Sequence, residues 1–530
     1  MRDLSRKDNF YIRLTVISSF IIIITINIIS AINNYGMEGD EVFSYISSTS
    51  LGGFKGICYL DDQTWYGNEY FSNALVTTGT ERFNYKMVVE NQSMDTHPPF
   101  YYLLLNLITS FFPGQFSRWF GIVLNIALML LVWTALFLLF QHFLNHRYLS
   151  IIFSTIFCCS RFSVNMVLFI RMYVLLMALC LFQSWYHLKL FEKMSKTEIF
   201  SLHKYWKNYL ILIIISILGA WSHYYFIIYQ CLISSLFILA LIHQRKIHNA
   251  FSYIGSLIVS ALLYIIIYPA ALNHIFFKYR GRDAVHKFLK GSSLFNEIFS
   301  MFKQYDQQVF KGFLILVLIF IGTGVFILIK KQKIKPVSII QNSIPIIPAC
   351  IYFIGISKAS PFVTIRYISP VAAIFFAAII IWGIKLIRHM NLKQCLLKPT
   401  YIIICLLFTL ITVDFGTIPI KDDFFTEKKD IMNELAEKTD YCVYITGDEY
   451  NWKMWEDYIY YPQFKGLFFI DGNKQAPITD KILLKQKAAT IFIDTALNKD
   501  DMVKYLSKYL PFKSYDIMYT TPYTYIIWAH

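Results

Sequence analysis

The sequence predicts a polytopic α-helical membrane protein of about eleven spans, with interfacial helices in its first outer loop and a small C-terminal α/β domain outside the membrane. Three observations carry this. Apolar runs of roughly 18–25 residues recur through positions 1–420, each long enough to cross a hydrocarbon core as a helix. The chain is 56% hydrophobic and 16% charged, whereas a soluble protein carries about 25% charged residues. Beyond position 420 the apolar runs shorten and alternate with polar ones, as in a small mixed domain.

The spans follow from the charge pattern. The formal net charge of +15 would suit a nucleic-acid binder, but the basic residues collect between apolar runs, as the positive-inside bias requires. No nucleic-acid partner is therefore expected. The clusters are Arg147 with its neighbours, Lys193/Lys196/Lys204/Lys207, Arg245/Lys246, Lys330/Lys331/Lys333/Lys335 and Arg388/Lys393/Lys398. If all are cytoplasmic, the spans fall near 11–32, 117–141, 148–166, 170–190, 208–225, 227–243, 249–272, 311–330, 337–356, 367–388 and 400–418. The N-terminus is then inside and the C-terminus outside. The first run follows Arg2, Arg6, Lys7 and Arg13; it is longer than a signal-peptide core and lacks a small-residue cleavage site, so it is expected to stay as the first span.

Segment 98–112 decides the count. It is about 15 residues long, short for a span, and Pro98-Pro99 suits the start of a helix. Read as a span, it would put every basic cluster outside. It is expected to lie in the outer interface with Tyr101 and Tyr102 at headgroup level.

Outside the membrane this leaves a catalytic loop 33–116, a second loop 273–310, short turns near 167–170 and 357–366, and a domain 421–530. Within that domain 423–438 reads as helix, and 441–446, 466–470, 490–494 and 524–528 read as strands. The transmembrane domain is 1–420. Cys158, Cys159, Cys180, Cys231, Cys350 and Cys405 lie in apolar runs as small hydrophobes. Cys58 and Cys442 are the two placed to pair outside the cell. No metal-type cysteine spacing, internal repeat or low-complexity tract is present.

Several constellations carry chemistry. Asp40-Glu41 follows the first span and reads either as a helix cap or as a general base for an acceptor hydroxyl. His97, beside Asp95 and before two prolines, reads as a rigid turn or as an imidazole that orients a phosphate or a carboxylate. Arg161, Arg171 and Arg366 stand at the outer ends of spans, where an arginine either snorkels or meets a partner. Lys278, Arg280, Arg282, Lys287 and Lys290 place further cations outside, against the usual bias, which suits an anion such as a lipid phosphate. His223-Tyr224-Tyr225 marks an outer turn that lines the same cavity or belongs to an aromatic belt. Trp65, Tyr66 and Tyr70 offer rings for a sugar or for ordinary loop packing.

Asp40-Glu41, His97-Pro98-Pro99-Phe100-Tyr101-Tyr102, Arg171-Met172-Tyr173, Ser222-His223-Tyr224-Tyr225 and Arg366-Tyr367 occur in this order. The series resembles the membrane glycosyltransferases of the GT-C class, family 39, which include protein O-mannosyltransferases and the lipid A aminoarabinose transferase. It covers roughly residues 10–390, leaving the tail aside. The resemblance implies transfer of a sugar from a polyprenyl-phosphate donor to a lipid, glycopolymer or protein acceptor at the extracytoplasmic face, with inversion. It implies Asp40 as catalytic carboxylate with Glu41 beside it, and Arg171, Arg366, His97, Arg280 and Arg282 on the donor phosphate. Tyr101, Tyr173, His223 and Tyr224 are then expected to line the substrate cavity. Many relatives carry a Glu before Arg171-Met172-Tyr173; here the residues are Phe169-Ile170, which leaves a second acidic group or a divalent metal open at that point. No other cofactor is expected.

The chemistry agrees with the residues independently. A phosphate leaving an anomeric carbon gathers negative charge that fixed cations stabilise, while a carboxylate takes the acceptor's proton. The competing reading is a transporter or flippase of a lipid-linked saccharide, which would place charges in mid-span and show paired halves or broken helices. A membrane anchor for a working tail would leave the long first loop unexplained.

Overall fold

The computed structural model describes residues 2–53, 59–196, 202–278, 286–287, 294–330, 336–360, 362–390, 393–413, 424–447 and 452–530. The first part of the chain runs α1 (Arg2–Asn33), α2 (Gly39–Thr49), β1 (Thr64–Gly67), α3 (Asn68–Ala74), α4 (Tyr85–Met94), α5 (Phe100–Thr109) and α6 (Arg118–Leu144). It continues through α7 (Arg147–Cys158), α8 (Arg161–Leu168), α9 (Tyr173–Ser195), α10 (Leu202–Ser222) and α11 (Tyr224–His243). Among the described residues 8 helices are long and apolar enough to cross a bilayer, or 9 if the pair Leu294–Phe310 and Leu314–Ile327, bent by 92°, is one broken span. The protein is a multi-pass membrane protein.

Two of the runs expected to span are interrupted among the described residues, for local reasons. The run 148–166 is two short helices, α7 and α8. They part at Ser160, whose hydroxyl accepts the N–H of Ser163 at 3.2 Å and which forms an isolated bridge to Val413. Helix Pro336–Ala359, 24 residues matching the run 337–356, contains Pro345 and Pro348. Segment 98–112 does not cross: α5 has 10 residues. Its tyrosines Tyr101 and Tyr102 are both 0% exposed, covered by protein.

The described basic helix ends meet at one end of the bundle. Arg388 Nη2 donates to the Leu144 carbonyl at 2.7 Å, Arg147 Nη1 to Asn9 Oδ1 at 3.3 Å, and Lys193 Nζ to Asn208 Oδ1 at 2.9 Å. The other end carries α2, α4, α5 and a six-stranded sheet.

That sheet has the order β1-β3-β2-β4-β6-β5, with β2 (Tyr441–Thr446), β3 (Gly466–Asp471), β4 (Ala489–Asp494), β5 (Tyr515–Thr520) and β6 (Thr524–Ala529). Central β2 runs parallel to β3 and β4, and its interior is buried on both faces, which suits the apolar run Cys442–Ile445. The tail does not build this sheet alone. Strand β1, from the first outer loop, pairs antiparallel with β3, Thr64 facing Phe469. Trp65 packs on Phe468 of the tail's sheet at 5.1 Å, and Tyr66 on Tyr70 within the loop at 4.9 Å. Cys442 is a buried free thiol; Cys58 lies outside the described residues. A long 3-10 helix, Trp452–Gln463, crosses from the sheet onto α2 and α3 of the first outer loop.

Candidate active site

Helix α2 begins where the first span ends, and Glu41 locks that start. Its Oε2 accepts the N–H of Glu38 at 2.7 Å, a capping-box contact that satisfies an orphan donor of the first turn. Its Oε1 accepts the N–H of Ile170 at 3.0 Å. Glu41 is 1% exposed, so both oxygens are used on main chain. The carboxylate expected beside the catalytic one instead ties α2 to the turn that carries Arg171.

The next residue back projects differently. Asp40 keeps 36% of its side chain exposed and lies 2.8 Å from Arg366 Nη1 and 3.7 Å from Arg171 Nη2. Arg366 opens a span through a short 3-10 turn, Ile365–Ile368, and stands over the rings of Phe169 at 5.2 Å and Tyr367 at 5.5 Å. Arg171 occupies the turn between α8 and α9. Its Nη1 donates to Tyr102 Oη at 3.0 Å and Ser44 Oγ at 3.3 Å, and its guanidinium lies 5.6 Å from the centre of the Phe43 ring. Both Arg171 Nε and Arg366 Nε are buried donors with no hydrogen-bond partner among the described residues. Burial opposes the charge of Arg171, but the Tyr102 and Asp40 oxygens outweigh it and raise its pKa.

His97 completes this wall. Its Nδ1 lies 2.7 Å from Asp95 Oδ2, and its Nε2 lies 3.5 Å from Arg171 Nη2. With the proton on Nδ1, donated to Asp95, the Nε2 lone pair faces the guanidinium. Burial pushes against ionisation of Asp95, yet His97 and Arg171 hold its pKa down to about 2. The turn is clamped from the second outer loop: Lys278 Nζ donates to the Met94 carbonyl at 2.7 Å, and His274 Nε2 lies 2.9 Å from the Ser93 carbonyl. Lys278, expected among the cations for an anion, thus holds main chain. Tyr224 meets His274 Nδ1 at 2.6 Å and so supports this clamp. His223 caps α11, its Nδ1 accepting the N–H of Tyr225 at 3.0 Å, and its ring lies 6.0 Å from His97 and 5.9 Å from Tyr173.

The structure therefore brings Asp40, Arg171, Arg366, His97, Tyr173 and His223 together. Tyr101 turns away: its hydroxyl donates to Asn125 Oδ1 at 3.0 Å, and Asn125 in turn holds the carbonyls of Val167 and Phe169. Arg280, Arg282 and Lys290 lie outside the described residues, and Lys287 is engaged with Glu297 at 3.7 Å. Sequence reading missed Tyr102 as the arginine's partner and Ser44, although Ser44 stands one helical turn after Asp40 on the same face. Among the described residues no group of three His, Cys, Asp or Glu side chains converges as metal ligands do.

No protein-family model matches the chain, and no curated protein does. Among solved structures it is similar to ArnT from Cupriavidus metallidurans bound to undecaprenyl phosphate, at 13% identity over 98% of each chain, with a TM-score of 0.56. The apo state of that ArnT matches 92% of this chain and 96% of its own at 13% identity and a TM-score of 0.49. An archaeal oligosaccharyltransferase, AglB from Archaeoglobus fulgidus, in complex with an inhibitory peptide and a dolichol-phosphate, matches over 95% of this chain and 71% of its own, at 10% identity and a TM-score of 0.49. The likeness to the first spans the membrane helices and the sheet domain alike, and the chain has the GT-C fold.

Proposed function

We propose that this protein transfers a sugar from a polyprenyl-phosphate donor to an acceptor, with Asp40 as the general base and Arg171 and Arg366 on the donor phosphate. The observation that carries the reading is Asp40 held between two arginines that each retain a buried, unpartnered Nε–H. A buried donor without a partner costs roughly 1–3 kcal/mol, and the oxygens of a phosphate would recover that cost. The fold is that of a protein solved with undecaprenyl phosphate bound. That neighbour has its lipid phosphate named; this chain has the cations for one.

The contact between Asp40 and the two arginines bears on the mechanism. Asp40 and the arginines are in contact, not separated by the width of a sugar. A carboxylate shared between guanidinium groups is a poor base, because the proton must compete with their charge. Donor phosphate, offering planar-fork partners to both arginines, takes them over and frees Asp40. The acceptor oxygen then attacks the anomeric carbon from the face opposite the phosphate. Its proton passes to Asp40, and the carbon–oxygen bond to phosphate breaks with its electron pair on the phosphate. Arg171 and Arg366 stabilise that charge as it develops, and inversion follows. Asp95 and His97 keep Arg171 aimed.

With the basic helix ends at the cytoplasmic side, this site and the sheet lie on the extracytoplasmic face, and residues 421–530 form a unit there. The charges stand at helix ends beside a long structured loop, which favours transfer over transport. The test is binding of undecaprenyl phosphate to purified protein, wild type against Arg366→Ala. A loss of about 10-fold or more is expected for a charge-assisted contact; equal binding would overturn the assignment.

A further inference from the structure

The sheet domain reaches into this site. Helix Trp452–Gln463 lies across the first turn of α2, where a Cβ added to Gly39 would come within 3.0 Å of Trp455 Cβ and 3.3 Å of Glu456 Oε1. The Glu456 carboxyl accepts a hydrogen bond from the Gly39 N–H, so it sits beside the residue that precedes Asp40. The Trp455 ring lies 6.1 Å from Phe43, the ring beneath Arg171. From the turn between β5 and β6, Tyr523 comes within electrostatic reach of Glu456, Glu38, Arg366 and Asp40. Trp452 meets Tyr523 edge to face, centroids 5.4 Å apart at 73°, and remains 47% exposed.

The corner is held rigidly. Thr524, next to Tyr523, donates to Asp457 Oδ2 at 2.8 Å. Asp457 pairs with Lys428 and Lys453 pairs with Asp494, fastening both sides of Trp455-Glu456 to the sheet. Trp452 so anchored packs one edge on Tyr523 and keeps about half of its surface open.

We propose that Trp452, Tyr523 and Glu456 form the acceptor subsite and that the acceptor they take is a saccharide, as a glycopolymer or a glycolipid headgroup. Aromatic faces cover the C–H face of a pyranose ring, as they do apolar surface generally, and carboxyls take its hydroxyls. A peptide acceptor would call for a strand edge and a plain lipid alcohol for an apolar groove at Asp40; this corner offers rings and oxygens. Burial, then Glu38, pushes the Glu456 carboxyl up to about 8 against the pull of Gly39 and Lys428. A carboxyl that holds its proton near neutrality both donates to and accepts from sugar hydroxyls. The proposal rests on Asp40 being the base of the transfer, since the corner adjoins that residue.

The experiment uses the purified full-length protein and ligand-observed NMR with a panel of disaccharides of glucose, galactose, mannose and N-acetylglucosamine. At least one should bind wild type, lose about 10-fold in affinity in Trp452→Ala, and weaken severalfold in Glu456→Gln and Tyr523→Ala. Undecaprenyl phosphate should bind all four proteins alike. Trp452 is exposed, so its variant keeps its melting temperature and carries the test even if Glu456→Gln unfolds. Binding by no disaccharide, or equal binding in Trp452→Ala, overturns the proposal. Arg366→Ala separates the two readings: it should weaken polyprenyl-phosphate binding about 10-fold or more and leave saccharide binding intact.

Discussion

Two carboxylate–cation clusters lie on either side of Glu456, and they are built differently. In the sheet domain Lys428 and Asp457 are both 0% exposed; Lys428 also donates to the Glu456 carbonyl at 3.2 Å, and Asp457 accepts from Thr524. Near the membrane end Asp40 keeps 36% exposure, and each of its arginines has a donor left over. Charge that is buried and paired holds a structure together. Charge that is half-exposed, with hydrogen-bonding capacity unspent, is placed to meet a ligand. The first cluster tethers the 3-10 helix, and the second faces what that helix helps to frame.

The contrast breaks most visibly at Asp40. Asp40→Asn is expected to lower sugar transfer about 10²–10⁴-fold, the range for a positioned base, while the melting temperature stays near wild type. Lys428→Ala should show the reverse. Removing one partner of a buried pair costs about 3–5 kcal/mol, read as a lower denaturation midpoint and faster proteolysis between the sheet and the membrane helices. If Lys428→Ala left stability intact, the two clusters would not differ in kind.

Smaller effects sharpen the comparison. Arg171→Lys should weaken polyprenyl-phosphate binding severalfold, because a lysine cannot reach Tyr102, Ser44 and a phosphate together; an unchanged affinity would make Arg171 merely structural. Asp95 supplies a pH test. Its folded value is about 2 against an ordinary 3.8, so the stability it contributes, about 2 kcal/mol, is present above pH ~4 and lost as pH falls toward 2. Asp95→Asn should flatten that part of an acid-unfolding curve and lower stability near neutrality by about the same 2 kcal/mol. Last, Tyr101→Phe should cost about 1 kcal/mol, the worth of one buried hydrogen bond, with donor and acceptor KM unchanged; a raised KM would return Tyr101 to the substrate cavity.

Much of the fold was legible because it is written locally. Apolar run length marks spans, and the short apolar runs in 441–446 and 490–494 mark strands that the structure contains. The order Asp40, His97, Arg171, His223, Arg366 pointed to one site, and the structure gathers those side chains. Where the reading failed, partners distant in the chain had overridden local signals. A run such as 148–166 looks continuous in composition, but it breaks at Ser160, which bridges to Val413 far along the chain. Tyr101 and Tyr102 look alike in sequence, and only packing sends one to Asn125 and the other to Arg171.

By itself, then, the amino-acid sequence determined a helical membrane protein with its cations at helix ends and a polar loop after the first span, since hydropathy and charge act on each segment separately. The tertiary structure alone decided that Glu41 spends both oxygens on backbone 3 and 129 residues away, that a strand of the first loop completes the tail's sheet, and that Glu456 comes to rest beside Gly39. Those contacts join positions whose own neighbours carry no trace of one another. Folding the chain into one packed body is what makes them a site.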